Sequence, residues 1–147
     1  MADSVEKKIY QALLTKVQAL PLPTGMTQSA NVALPNAPFT PTATTKFISV
    51  EVHFNRSIET DLSLVMDPIR QGFMRCNVMW PKGAALVDGI DLAGSIAAFF
   101  RRGTKLLRAD TQVRIDEAPE VGVVVTGDTH VTVPVTIRWN CQPQVPA

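Results

Sequence analysis

Six side chains in this 147-residue sequence are of types that could build a reacting centre: His53, His130, Cys76, Cys141, Asp88 and Asp91. Imidazoles carry protons or bind metals, thiolates attack or ligate, and two carboxylates one helical turn apart can share a cation. None of the six has the company such chemistry needs. His53 and His130 each fall on the polar side of an alternating stretch, with no companion at ligand spacing, so no metal is expected. Cys76 and Cys141 show no C-x-x-C spacing, and two ordinary buried thiols are the favoured reading; a disulfide would require their two strands to be neighbours. Asp88 and Asp91 lie early on a helical stretch, where the helix dipole alone favours acidic residues. No G-x-S-x-G, Walker loop or glycine-rich fingerprint follows a strand, so neither a catalytic residue nor a cofactor is expected. A last charged group, Arg101, Arg102, Lys105, Arg108 and Arg114, is offset by Asp110. A solvated helix end is the favoured reading over a phosphate-facing patch, which would make a small nucleic-acid-binding module with steep salt dependence.

The elements that must position these residues centre on Gly72 to Gly103. Met74, Cys76, Val78 and Trp80 alternate with Phe73, Arg75, Asn77 and Met79, so the first set should be the buried face of a strand. Pro81 and Gly83 end it. From Ala84 the period changes, and Leu86, Ile90, Ala93, Ala97 and Phe100, widened by Gly89 and Ile96, predict one stripe of a helix. It should run to Arg102 with Gly103 as its C′ glycine, roughly 28 Å at 1.5 Å per residue.

Before this unit, Asp3 and Glu6 have capping-box spacing, and Val5, Ile9, Ala12 or Leu13, Lys16 or Val17, and Leu20 mark a helix over residues 1–20. Residues 21–45 carry no charge and several prolines, a long loop expected to lie against its own domain or an adjacent copy. Ile48, Val50, Val52 and Phe54 predict a strand over Lys46 to Asn55. Arg56 to Gln71 then forms a long connecting arm with an apolar centre at Leu62, Leu64, Val65 and Met66. Thr111 to Asp116, Val121 to Thr126 and His130 to Trp139 read as further strands, the last of them at an edge or bulged because of Pro134. The tail, residues 141–147, should fray. The order predicts a single α+β domain: an antiparallel four- to five-stranded sheet with two helices packed on one face, a long hairpin arm and a long N-terminal loop.

The formal charge of +1 gives no reason to expect general nucleic-acid binding. Only 18% of residues are charged, against roughly 25% in ordinary globular chains, and a small monomer so composed would struggle to cover its surface. Association with other subunits is therefore the expectation. No apolar run is long enough for a membrane span, and the N-terminus lacks a signal pattern, so the chain should stay in the cytosol.

An ordered set of segments resembles the tail terminators of long-tailed phages. These are Leu20-Pro21-Leu22-Pro23-Thr24-Gly25-Met26, Asn36-Ala37-Pro38-Phe39-Thr40-Pro41, the strand from Phe47 to Val52, Arg70-Gln71-Gly72-Phe73, Val78-Met79-Trp80-Pro81-Lys82-Gly83, Phe99-Phe100-Arg101-Arg102-Gly103-Thr104 and Val133-Pro134-Val135-Thr136-Ile137-Arg138-Trp139. The resemblance implies a subunit of a ring, usually a hexamer. The ring caps the tail tube, stops its polymerisation and docks the head connector, with DNA passing through unbound. The partners would be further copies, the tail tube protein and the connector protein, and the place would be the head-proximal end of the virion tail after assembly in the host cytoplasm. Other connector components, head closure or adaptor proteins, and minor tail proteins are the nearest alternative. The family supplies no residue-level motif. Interface residues chosen from exposure and position are Arg56, Glu59, Leu62, Leu64, Met66, Asp67 and Arg70 in the arm, and Arg101, Arg102 and Lys105 after the main helix.

Overall fold

The computed structural model describes residues 4–55, 69–108 and 111–141. Helix α1 (Val5–Gln18) starts on Ser4, whose hydroxyl accepts from the Lys7 N–H at 3.2 Å, so the cap is Ser4 and not Asp3. Its stripe of Ile9, Ala12, Leu13 and Val17 is buried, as the spacing predicts.

The neutral segment that follows is not all loop. It contains a short helix, α2 (Gln28–Asn31), capped by the Thr27 hydroxyl, and a two-residue strand, β1 (Val32–Ala33). β1 pairs parallel with β2 (Phe47–Phe54), and the Asn31 side-chain amide donates to the Lys46 carbonyl at 2.6 Å. Leu22, Met26, Val32 and Leu34 of this segment pack against the core of its own domain.

β2 pairs antiparallel with β3 (Arg70–Pro81), and β3 pairs along its whole length with β8 (His130–Cys141). Met74, Cys76 and Val78 are fully buried and Trp80 is 3% exposed, while Phe73, Arg75, Asn77 and Met79 are half-buried on the opposite face, the alternation the sequence predicts. On its other side β8 meets three short strands in turn: β5 (Thr111–Arg114), β6 (Glu120–Val121) and β7 (Val125–Thr126). From Val113 to Glu120 the chain takes seven steps against five on β8, and from Val121 to Val125 four against three, so the extra residues bulge out. Pro134 lies at one of these gaps. Its carbonyl accepts from Gly122 N–H at 2.7 Å, so its missing donor faces the interrupted side and the β3 ladder loses nothing. Neither an edge nor a bulge in β8 itself is found at Pro134: β8 is a central strand paired without a break to β3, and the extra residues are in the segments that face it.

A further strand, β4 (Lys105–Arg108), forms a hairpin with β5 and occupies the segment read from sequence as a solvated helix end. Among the described residues the sheet therefore has eight strands and is mixed, in the order β1-β2-β3-β8-β5-β4 with β6 and β7 also on β8, which corrects the expected four to five antiparallel strands. The two misses have a common cause: β1 and β4 are too short, and too little buried, for a period of two to show.

The main helix, α3 (Leu86–Phe99), has fourteen residues, about 21 Å at 1.5 Å per residue, and is shorter than expected. It buries Gly89, Leu92, Ala93, Ile96 and the following Phe100, whereas Ile90 is 47% exposed and Val87 76%. Its stripe is thus rotated from the predicted one, because Gly89 seats against the Trp80 ring, where an added Cβ would lie 3.0 Å from Trp80 Cδ2. Gly103 does have a positive φ of 92°, yet three residues past the C-cap at Phe100, where it turns the chain into β4. Helices α1 and α3 and the apolar sheet face share one core. No helix among the described residues is long and apolar enough to cross a membrane.

Cys76 and Cys141 are both buried in that core. Cys76 is opposite Val135 and Cys141 opposite Arg70, six ladder positions apart, roughly 20 Å at 3.3 Å per residue and far beyond disulfide reach. Burial pushes the Cys76 thiol up from 9.0 to about 12. A raised folded pKa gives stability that is complete below the unfolded value and declines as the pH rises towards the folded one. Between pH 9 and pH 12 the wild type should therefore lose about 1.4 kcal/mol per pH unit from this group. Denaturant titrations of wild type and Cys76→Ala across that range should diverge in slope by this amount; parallel pH profiles would refute the assignment.

Candidate interaction surface

The residues with chemistry to offer do not gather into one centre. His53 is exposed and stacks on Phe73 with ring centroids 4.6 Å apart, beside Glu51 at 4.0 Å. His130 departs from the expected wet face: it is 8% exposed, its Nε2 lies 2.7 Å from the Thr45 carbonyl and its Nδ1 2.9 Å from the Thr129 hydroxyl. Both ring nitrogens are engaged in tying the end of the neutral segment to the start of β8. Among the described residues no three His, Cys, Asp or Glu side chains stand together as a metal group would.

What the fold does bring together is a groove of about 670 Å³. Pro23 to Met26, Ala30 and Asn31 form one bank, residues Thr44 to Lys46 and Trp80 the floor, and Asp88 and Asp91 the other bank. Local chemistry explains each part. Thr27 and Asn31 cap and pin α2. Trp80 ends β3 on its buried face and donates from Nε1 to the Ala85 carbonyl at 3.0 Å, which fixes the entry to α3 in place of a side-chain N-cap. Lys46 Nζ lies 4.7 Å from the centre of the Trp80 ring, a cation–π contact. Asp88, in the first turn of α3 at its positive end, and Asp91, one turn further on, line the groove. Exposed Val87 and Ile90 on the same helix add apolar area beside them.

At the other end of α3 is a basic corner. Arg101 and Arg102 precede Gly103, whose N–H donates to the Ile115 carbonyl at 2.7 Å; Thr104 Oγ1 donates to the Arg101 carbonyl at 2.7 Å, and Ile115 N–H donates to the Thr104 carbonyl at 2.9 Å. The corner is thus held to the sheet. Arg101, Arg102 and Lys105 are all exposed and make no side-chain ion pair or hydrogen bond among the described residues. Arg108, by contrast, donates to Gln11 Oε1 at 3.1 Å.

The other interface residues expected from sequence are less informative. Arg70 is turned inward and pairs with Glu6 at 2.9 Å, joining β3 to α1. Arg56, Glu59, Leu62, Leu64, Met66 and Asp67 lie outside the described residues. A surface that sequence reasoning missed is the β6–β7 segment, where Val121, Val123 and Val125 are 44%, 84% and 58% exposed. The run Val121-Gly122-Val123-Val124-Val125 carries the signal, but it reads as an ordinary buried strand.

One solved structure, 22% identical, matches 97% of this chain and 98% of its own at a TM-score of 0.76, a likeness of fold alone. No curated protein matches the chain. A family model described as phage tail terminator protein matches residues 8–139. That span takes in α1, the groove, the basic corner and nearly all of the sheet, and the chain belongs to the phage tail terminator protein family, a structural family of the virion tail that acts in tail completion through contacts with other tail components.

Proposed function

We propose that copies of this chain close into a hexameric ring at the head-proximal end of the tail tube. The ring ends tube polymerisation and presents its far side to the head connector, with DNA passing through the centre. The match of the family model over residues 8–139 carries this reading. Two properties of the chain support it. With 18% charged residues it has little to keep it apart from its own copies. Its exposed apolar side chains, Val87 and Ile90 on α3 and the β6–β7 valines, are also on separate elements, as a subunit with neighbours on more than one side requires.

The test adds purified protein to tube protein that is polymerising. Tubes should stop lengthening, and electron micrographs should show an annulus at one end of each. Tubes that grow unchecked at saturating protein would overturn the reading.

A further inference from the structure

We propose that the groove between α2 and α3 receives the Arg101–Lys105 corner of a second copy. This rests on the reading that the chain works as an assembly of copies, and names the surface that joins them.

Charge complementarity within one chain carries it. The groove holds Asp88, Asp91 and Lys46, a net of one negative charge, and the corner holds three cations. Ten residues separate Asp91 from Arg101, about 15 Å at 1.5 Å per residue, while charges in physiological salt are screened beyond about 8 Å. They cannot neutralise each other within the chain, and neither Asp88 nor Asp91 makes an ion pair among the described residues. The helix dipole favours acid at the start of α3, but it does not supply a groove. The exposed Val87 and Ile90, next to the two aspartates along α3, have an apolar counterpart on the corner. Leu107, 70% exposed, is two residues from Lys105 on β4 and so shares its face. Each patch thus offers an apolar area beside opposite charge, with the groove concave and the corner a braced turn.

Groove and corner are different surfaces at opposite ends of one helix. A contact between them is heterologous, and repeated around an axis it closes a ring where its rotation divides a full turn.

The experiment reverses charge on one side at a time and measures mass by sedimentation velocity in about 0.15 M salt. Asp88→Lys with Asp91→Lys, and separately Arg101→Glu with Arg102→Glu, should each weaken self-association on the order of a hundredfold by setting like charges together. An equimolar mixture of the two variants should reassemble, since each groove then meets a corner of opposite sign. Circular dichroism checks that both variants are folded; if the lysine variant is not, Asp88→Asn with Asp91→Asn replaces it and should still weaken assembly. Variants that assemble like wild type, or that stay apart when mixed, overturn this contact and leave the tube-capping reading standing, provided wild type assembles and stops tube growth. A wild type that stays a single chain yet stops tube growth also overturns the contact. If it stays single and does not stop growth, both readings fall.

Discussion

Replacing Gly72 with alanine is expected to destabilise the fold by more than about 3 kcal/mol, a larger cost than a single methyl group usually brings. Gly72 pairs with Phe54 of β2 on one side and Trp139 of β8 on the other. An added Cβ would collide with the His53 carbonyl oxygen and come within 2.6 Å of Trp139 Cζ2. The first obstacle is backbone in a ladder, so it can move only by breaking hydrogen bonds. The second is a ring that is 2% exposed and packed edge-on against Phe54 at 5.3 Å, so it has nowhere to turn. The glycine is therefore required by space, not by a left-handed backbone. A fall in urea midpoint at unchanged slope would measure the cost; a loss below about 1 kcal/mol would show that the Trp139 ring yields.

The same position shows how far the sequence could be read. The period of two made β2, β3 and β8 legible, because each runs far enough for its buried and open faces to alternate several times. It could not reveal that Gly72 faces an indole sixty-seven positions on, since register across strands is a property of pairing and not of either strand alone. β4 was hidden for a different reason. Of Lys105, Leu106, Leu107 and Arg108 only Leu106 is buried, so no apolar face marks a strand, and the flanking arginines imitate a helix C-terminus. In α3 the helix was legible but its orientation was not. Val87 and Ile90 are as apolar as Leu92 and Ile96, and only the seat of Gly89 on Trp80 decides which pair faces inward. The candidate surface shares this limit. The separation of Asp88 and Asp91 from Arg101, Arg102 and Lys105 is plain in the sequence, but the groove is built from residues near 24, 31, 45, 80 and 88, which no periodicity connects.

Trp80 joins the fold to that surface, and its truncation has the other large expected effect. Trp80→Ala should cost about 3–5 kcal/mol, as removal of a buried aromatic side chain does when its neighbours cannot fill the space. Here the neighbours are held: Gly89 is backbone already in contact, and α3 cannot sink further without leaving the sheet. The indole also donates to the Ala85 carbonyl, a bond that fixes the start of a helix with no side-chain cap. Trp80→Phe separates these roles. It keeps an aromatic floor beneath Lys46 and loses only the hydrogen bond and part of the ring, so the cost should fall to about 1–2 kcal/mol. If the groove is where copies meet, the phenylalanine variant should assemble nearly as wild type does. The alanine variant, at a temperature where it is still folded, should assemble poorly because Asp88 and Asp91 are no longer held against the opposite bank. Equal assembly by both variants would mean that Trp80 supports the core alone, and that the position of the two aspartates does not depend on the floor beneath them.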